Sequence, residues 1–271
     1  MNDEAYLRLI FLCETGKKLN LENPVTYNEK LQWLKIHDRK PEYCAYVDKY
    51  EVRNYIKDII GEQYLIPLID VYNQISDILW NELPEKFVLK CTHGSGCNII
   101  CTDKNKLDIN GSIIKLKKWM RKNWYWFGRE WPYKNVKPRI ICETFISDTD
   151  KVPNDYKILC FNGKAKLIEV HLDRYGRHTQ DFYDIEWNKT TIVQGSPPSS
   201  IKCDRPKQLE NMIKLSETLA QYMRHVRVDW YVAKNNLYFG EITLYDSSGF
   251  STFSSEKDDY LLGSWIDIEE R

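Results

Sequence analysis

No sign of charge predominates in this chain. In 271 residues, 39 Lys and Arg stand against 39 Asp and Glu, which excludes a general polyanion-binding surface. Nucleic acid is therefore not an expected partner, and any anionic ligand must be held by a local cluster. Long apolar runs are missing too: nothing approaches the roughly 20 residues of a membrane span, so no integral membrane segment is expected. The opening MNDEAYLRLIFLCE lacks the basic start and small-residue cleavage site of a secretory leader, and the expected location is cytoplasmic. Cysteines at 13, 44, 91, 97, 101, 142, 160 and 203 include no C-x-x-C pair, which argues against zinc or a redox dithiol and for reduced, packed thiols. Repeats and low-complexity stretches are absent, and the one loop-rich segment is QGSPPSSIKCDRP, 194–206.

What is present suits a globular protein of one large domain or two lobes: 42% of residues are hydrophobic and 29% charged. The first sixty residues read as helices. Thr26 and Glu29 stand in capping-box spacing ahead of one, and another starts at Asp48 and stops at Gly61. Strand patterns follow at 64–71, 86–91, 97–102, 139–146, 156–161, 164–171 and 181–187, with helices over 108–123 and from Pro206 to about 224. A strand pair, VRVDWYV and LYFGEITLY, comes last. Helices and strands mix without β-α-β alternation, which predicts an α+β fold.

Two segments carry chemistry. FVLKCTHGSGCNII, 87–100, sets Lys90 at the end of a strand and Gly94 and Gly96 in the turn beyond it. That order matches neither a Walker loop nor a kinase glycine loop. It is the pattern of a β-hairpin, either an ordinary turn or a flap whose N–H groups approach phosphate oxygens; a metal site downstream would decide between them. The final strand pair offers such a site. A three-residue loop, Lys234 to Asn236, would set Asp229 opposite Glu241 and project Arg227, Asp229, Glu241 and Thr243 from one side. Directly opposed carboxylates repel, so they require a cation: either Mg²⁺, which takes oxygen ligands, or Arg227 and nearby lysines.

Together the two segments, in this order, resemble the ATP-grasp superfamily. More closely, the blocks NEKLQWLKIHDRKP, DKYEVRNYI, IGEQYLIPLIDVY, LPEKFVLKCTHGSGCNIIC, KPRIICETFI, DYKILCFNG, YDIEW and VRVDWY…YFGEIT resemble its TupA-like family, found among genes for bacterial surface polysaccharides. The resemblance implies an ATP-grasp fold: two α+β lobes with a nucleotide cleft between them, here a helical region 1–62, an N-lobe 63–138 and a C-lobe 139–271. It implies ATP and Mg²⁺ as cofactors. Lys90 matches the phosphate-contacting lysine and His93, Gly94, Ser95 and Gly96 the loop over it. Glu143, Thr144, Phe145 and Ile146 match the segment beside the purine and ribose, and Lys157 and Arg227 the cations at the reacting phosphate. Asp229 and Glu241 match the metal ligands. Thr243 stands where many members have asparagine, which leaves its role as third ligand open.

The activity implied is ADP-forming ligation of a carboxylate to an amine through an acyl phosphate, the carboxylate being that of a uronic acid sugar or an amino acid in capsular polysaccharide synthesis. Polysaccharide-assembly proteins are the implied partners. Two acceptor candidates are present: Trp126 within WMRKNWYWFGREWPY, 119–133, suited to stacking on sugars, and Arg174, Arg177 and His178 within HLDRYGRH, suited to gripping a carboxylate. The competing readings are a glycosyltransferase using DTD, 148–150, a kinase of the same fold acting on a sugar hydroxyl, and a carbohydrate-binding module built on the tryptophans.

Overall fold

The computed structural model describes residues 1–147, 152–173 and 176–269. The DTD tripeptide and Arg174 lie outside the described residues. The chain divides into two compact units, one formed by 41–151 and the other by 1–40 together with 152–271.

Helices α1 (Asp3–Thr15) and α2 (Tyr27–His37) open the chain. The capping box of α2 forms as predicted, with the Thr26 side chain accepting from the Glu29 N–H and the Glu29 carboxylate accepting from the Thr26 N–H. Next come α3 (Tyr43–Val47), α4 (Val52–Ile59), β1 (Leu68–Tyr72), β2 (Phe87–Cys91), β3 (Asn98–Cys101), α5 (Ile109–Met120), the single-turn α6 (Tyr125–Gly128) and β4 (Ile140–Thr144). These strands form an antiparallel sheet of order β1-β4-β2-β3. Alternation sends Phe87, Leu89, Cys91, Ile99, Cys101, Ile140 and Cys142 into one core with Leu116 of α5, and leaves Lys90 and Glu143 on the opposite face. Cys91, Cys101 and Cys142 are free thiols packed there as small apolar groups.

The second unit continues with β5 (Asp155–Phe161), β6 (Lys164–Leu172), β7 (Thr179–Tyr183), α7 (Leu209–Ala220), β8 (His225–Ala233), β9 (Asn236–Thr243) and α8 (Glu256–Ser264). Its antiparallel sheet has the order β7-β6-β5-β8-β9. Helix α7 lies against β5, β6 and β8, and the Trp230 indole N–H reaches Ser216 Oγ at 2.8 Å.

Two expected boundaries move. Strand 140–144, expected to open the C-lobe, pairs on both sides within the first sheet, with β1 and with β2. The helical start is not one region: α2 joins the C-terminal half through buried polar contacts. Asn28 Nδ2 donates to Ser251 O at 2.9 Å, Gln32 Nε2 to Gly249 O at 2.7 Å and Lys35 Nζ to Ser248 O at 2.8 Å. Polar residues on a helix carry no mark of such distant partners, which is why the sequence did not reveal this.

His225 begins β8 fully buried, with Nε2 2.9 Å from the Tyr27 hydroxyl and Nδ1 3.0 Å from Leu244 O. Burial pushes its imidazole down to about 4. Because the folded state resists a proton that the unfolded chain takes up near 6.5, His225 contributes stability present above pH 6.5 and lost as pH falls to about 4. In urea titrations, His225→Gln should lose about 2 kcal/mol less than the parent between pH 7 and 4.5; equal losses would contradict this.

Candidate active site

Strands β5, β6, β8 and β9 share a residue pattern: in mostly apolar runs, polar residues stand two apart, as Asp155 and Lys157, Glu169 and His171, Arg227 and Asp229, Glu241 and Thr243. A spacing of two puts each pair on one face of its strand, and cross-strand partners share a face. The register brings the pairs together. Lys157 lies between Glu169 and Asp229, Asp155 between His171 and Tyr231, and Arg227 opposite Thr243. One face of the sheet is thereby a continuous polar field.

Beside Asp229 the register differs from the expected one. The hairpin loop has two residues, Lys234 and Asn235, both in the left-handed region at φ 52° and 60°, closed by Ala233 and Asn236. A two-residue loop alone would shift every pairing by one. A bulge restores the register: Val228 pairs with Ile242 but Trp230 with Phe239, so Asp229 alone opposes Gly240 and Glu241. A Cβ on Gly240 would stand 3.1 Å from Asp229 O and 3.0 Å from the Tyr231 ring, so a side chain there would press on the bulge.

Arg227 is the hub. Its Nε and Nη2 bond the two Asp229 oxygens at 2.8 and 2.9 Å, Nη2 also donates to Thr243 Oγ1 at 3.2 Å and lies 3.5 Å from Glu241, and Nη1 pairs with Asp246. Burial opposes its charge, but Asp229, Asp246 and Glu169 hold it well above the usual arginine range. Lys157 is wholly buried behind Asp229, bonded to it and 3.1 Å from Asp155. Burial and Arg227 oppose its charge, yet the two aspartates and Glu169 raise its pKa. For Asp229, burial raises the pKa against the lowering by Arg227 and Lys157, and Asp155 and Glu241 raise it further.

Among the described residues, no three His, Cys, Asp or Glu side chains form a ready metal cage. The donor set still fits a hard cation. Asp229 and Glu241 offer carboxylate oxygens of the kind Mg²⁺ takes when water and phosphate complete its shell, and Arg227 is a cation that meets both. Thr243 presents its hydroxyl to Arg227, so its observed part is to orient that guanidinium.

In the other unit, Lys90 Nζ lies 2.7 Å from Glu143, whose second oxygen takes Arg53 Nη1 at 2.9 Å. Glu143, expected beside the purine, has its charge shared between these two cations. Thr144 is exposed but its N–H is bonded to Pro67 O at 3.0 Å; Phe145 and Ile146 follow half-buried. In the turn, His93 is buried with Nε2 3.2 Å from Trp119 O, Gly94 O accepts from Lys49 Nζ at 3.0 Å, and Ser95 and Gly96 form the exposed tip. Gly96 has φ 70°, which favours glycine.

Of the acceptor candidates, Trp126 is 59% exposed, with the Arg129 guanidinium 4.7 Å from its ring. Arg177 is exposed and its N–H donates to Asp173 Oδ2 at 2.8 Å, while His178 turns to His171 and Ser196. The described residues do not form a carboxylate grip there.

A sequence profile of the TupA-like ATP-grasp family matches residues 29–267. The chain belongs to that family. It thus has the ATP-grasp fold, here with two compact α+β units. No curated protein matches it. Similar solved structures include the D-alanine–D-alanine ligase of Helicobacter pylori (14% identity over 89% of this chain and 69% of that one, TM-score 0.46). Another is the L-amino acid ligase of Bacillus licheniformis (10%, 82% and 49%, TM-score 0.49). A third is the biotin carboxylase domain of Hydrogenobacter thermophilus 2-oxoglutarate carboxylase, with MgADP and bicarbonate (16%, 74% and 40%, TM-score 0.44). The TupA-like chain spans about half the length of the latter two.

Proposed function

We propose that this TupA-like protein is a cytoplasmic, Mg²⁺-dependent enzyme that phosphorylates a carboxylate with ATP and joins the acyl phosphate to an amine. Its carboxylate belongs to a uronic acid sugar or an amino acid, in the assembly of a surface polysaccharide. The observation that carries the chemistry is the Arg227 hub set among Asp229, Glu241 and Thr243. The substrate class rests on the family resemblance. No described helix is long and apolar enough to cross a membrane, which suits a small-molecule or oligosaccharide substrate met in water.

In this reading Lys90, steadied by Glu143, and the 93–96 turn take the phosphates, and Phe145 and Ile146 offer backbone to the base. Asp229 and Glu241 would hold Mg²⁺, which supplies charge neutralisation for the phosphoryl group. Two unit charges 4 Å apart interact by about 4 kcal/mol at an effective dielectric near 20, so fixed cations matter wherever phosphate and carboxylate meet. Arg227 is held in place by four oxygen-bearing partners before any substrate arrives, and this preorganisation is what stabilises developing charge. Lys157 sets the charge of Asp229 from behind.

ADP release should be screened with uronic acids crossed against amino acids, with Glu241→Gln as control. Release that needs both components supports ligation. A stable phosphoester formed from a sugar alone would make the protein a kinase, and sugar-nucleotide turnover without ATP a glycosyltransferase.

A further inference from the structure

Next to the row Glu169–Lys157–Asp229, on the same face of the sheet, stands a chain of hydrogen bonds that the reading above does not use. His171 Nε2 bonds Glu169 Oε1, His171 Nδ1 lies 2.6 Å from His178 Nε2, and His178 Nδ1 lies 3.1 Å from Ser196 Oγ. The imidazole planes are 11° apart with centroids 4.9 Å apart. The 2.6 Å bond plus two centre-to-nitrogen radii accounts for that separation, so the rings meet edge to edge through an in-plane N–H···N bond.

The direction of the chain follows from its buried end. An ionised carboxylate only accepts, so in the neutral chain His171 donates from Nε2 and accepts at Nδ1. His178 therefore donates from Nε2, and its Nδ1 accepts from the Ser196 hydroxyl. Gln180 Nε2 secures the same Glu169 oxygen at 2.9 Å. Burial alone would raise the Glu169 pKa, but the His171 bond, Arg227 and Lys157 hold it well below the usual carboxylate range, which keeps it an acceptor. Among the described residues, the groups facing the imidazole pair include Glu169 on β6, Asp155 directly across on β5, Ser196 at the half-buried outer end, and Lys157 and Arg227 through Glu169.

We propose that the Ser196–His178–His171–Glu169 chain is the base that takes the proton from the amine substrate, His178 Nδ1 being the receiving atom. This rests on the ligase reading, because a primary amine arrives as ammonium and cannot attack an acyl phosphate until it loses a proton. Lys157 and Arg227 carry no lone pair to offer, and Asp155, Asp229 and Glu169 are committed to cations or, for Glu169, to His171 as well. On this face the imidazoles offer ring-nitrogen lone pairs linked in a relay, the arrangement general-base catalysis uses. The step balances: the ammonium N–H bond breaks, its proton reaches His178 Nδ1 directly or through the Ser196 hydroxyl, and the His178 Nε2 proton shifts to His171 Nδ1. The amine is left neutral, with one positive charge on His171 against Glu169.

Two measurements on the full chain test this. Nitrogen-15 NMR of labelled histidines should show both imidazoles as Nε2–H tautomers sharing one protonation step, with His171→Gln abolishing the coupling; independent titrations or Nδ1–H tautomers would overturn it. Kinetically, glucuronic acid and ATP are supplied with glycine, protonated at pH 7, or with hydroxylamine, already neutral. His178→Gln should lose at least 100-fold with glycine, the scale of general-base catalysis, and at least tenfold less than that with hydroxylamine. Equal loss with both nucleophiles, or none, overturns the assignment while the ligase reading stands. No turnover by the parent enzyme with any pair in the screen of uronic acids against amino acids, or with hydroxylamine in place of the amine, sinks that reading and the base with it.

Discussion

Replacing Arg227 by methionine is expected to destabilise the protein by about 3–5 kcal/mol, the usual effect of removing one partner from a buried ionic network. Methionine keeps much of the volume, so lost packing contributes little. What is lost is the charge that Asp229 and Asp246, both buried, share. Lys157 then remains beside Asp229 and Asp155. The pH dependence separates this cause from a packing defect. The Asp229 pKa is already raised by burial, and Arg227 is the first influence lowering it, so the substitution raises it further. A carboxyl whose folded pKa is raised costs stability that builds as pH climbs from its unfolded value to its folded one. The deficit in urea titrations should therefore shrink from pH 8 to pH 5; a deficit independent of pH would show that the guanidinium matters for shape and not charge.

Glu241→Gln is expected to act in the opposite way, with a large effect on turnover and little on stability. The Glu241 side chain is 26% exposed and its oxygen stands 3.5 Å from Arg227, longer than the Asp229 contacts, so stability should change by less than about 1 kcal/mol. The amide keeps the shape and one oxygen donor but removes a negative charge from a pair of carboxylates read as holding Mg²⁺. ATP turnover should fall by about 10²–10³-fold, the range for losing one preorganised electrostatic contact, and should need more Mg²⁺ for half-maximal rate. Normal turnover in this variant would remove the metal assignment.

Much of the site was legible because strand periodicity is a local signal. Arg227, Asp229, Glu241 and Thr243 were placed on one face from alternation alone, and the structure brings all four to one guanidinium. The path to that result was wrong in one respect: a two-residue loop and a bulge at Gly240 replace the expected three-residue loop, and the two offsets cancel. Asp155 and Glu169 were missed, although the same spacing of two inside apolar runs marks them. Asp246 was not legible. It lies beyond the strand in a 3₁₀ turn, and only the fold carries it to Arg227. Glu143 shows the converse, an acid singled out through the family resemblance whose partners, Lys90 and Arg53, no periodicity announces.

The central claim, that Asp229 and Glu241 bind a divalent ion together with ATP, is tested most directly by a crystal grown with Mn²⁺ and a non-hydrolysable ATP analogue. The account predicts an anomalous peak bonded to a carboxylate oxygen of each residue and to the analogue's phosphates. A peak bonded to neither, with both carboxylates still turned to Arg227 and the nucleotide bound elsewhere, would contradict it.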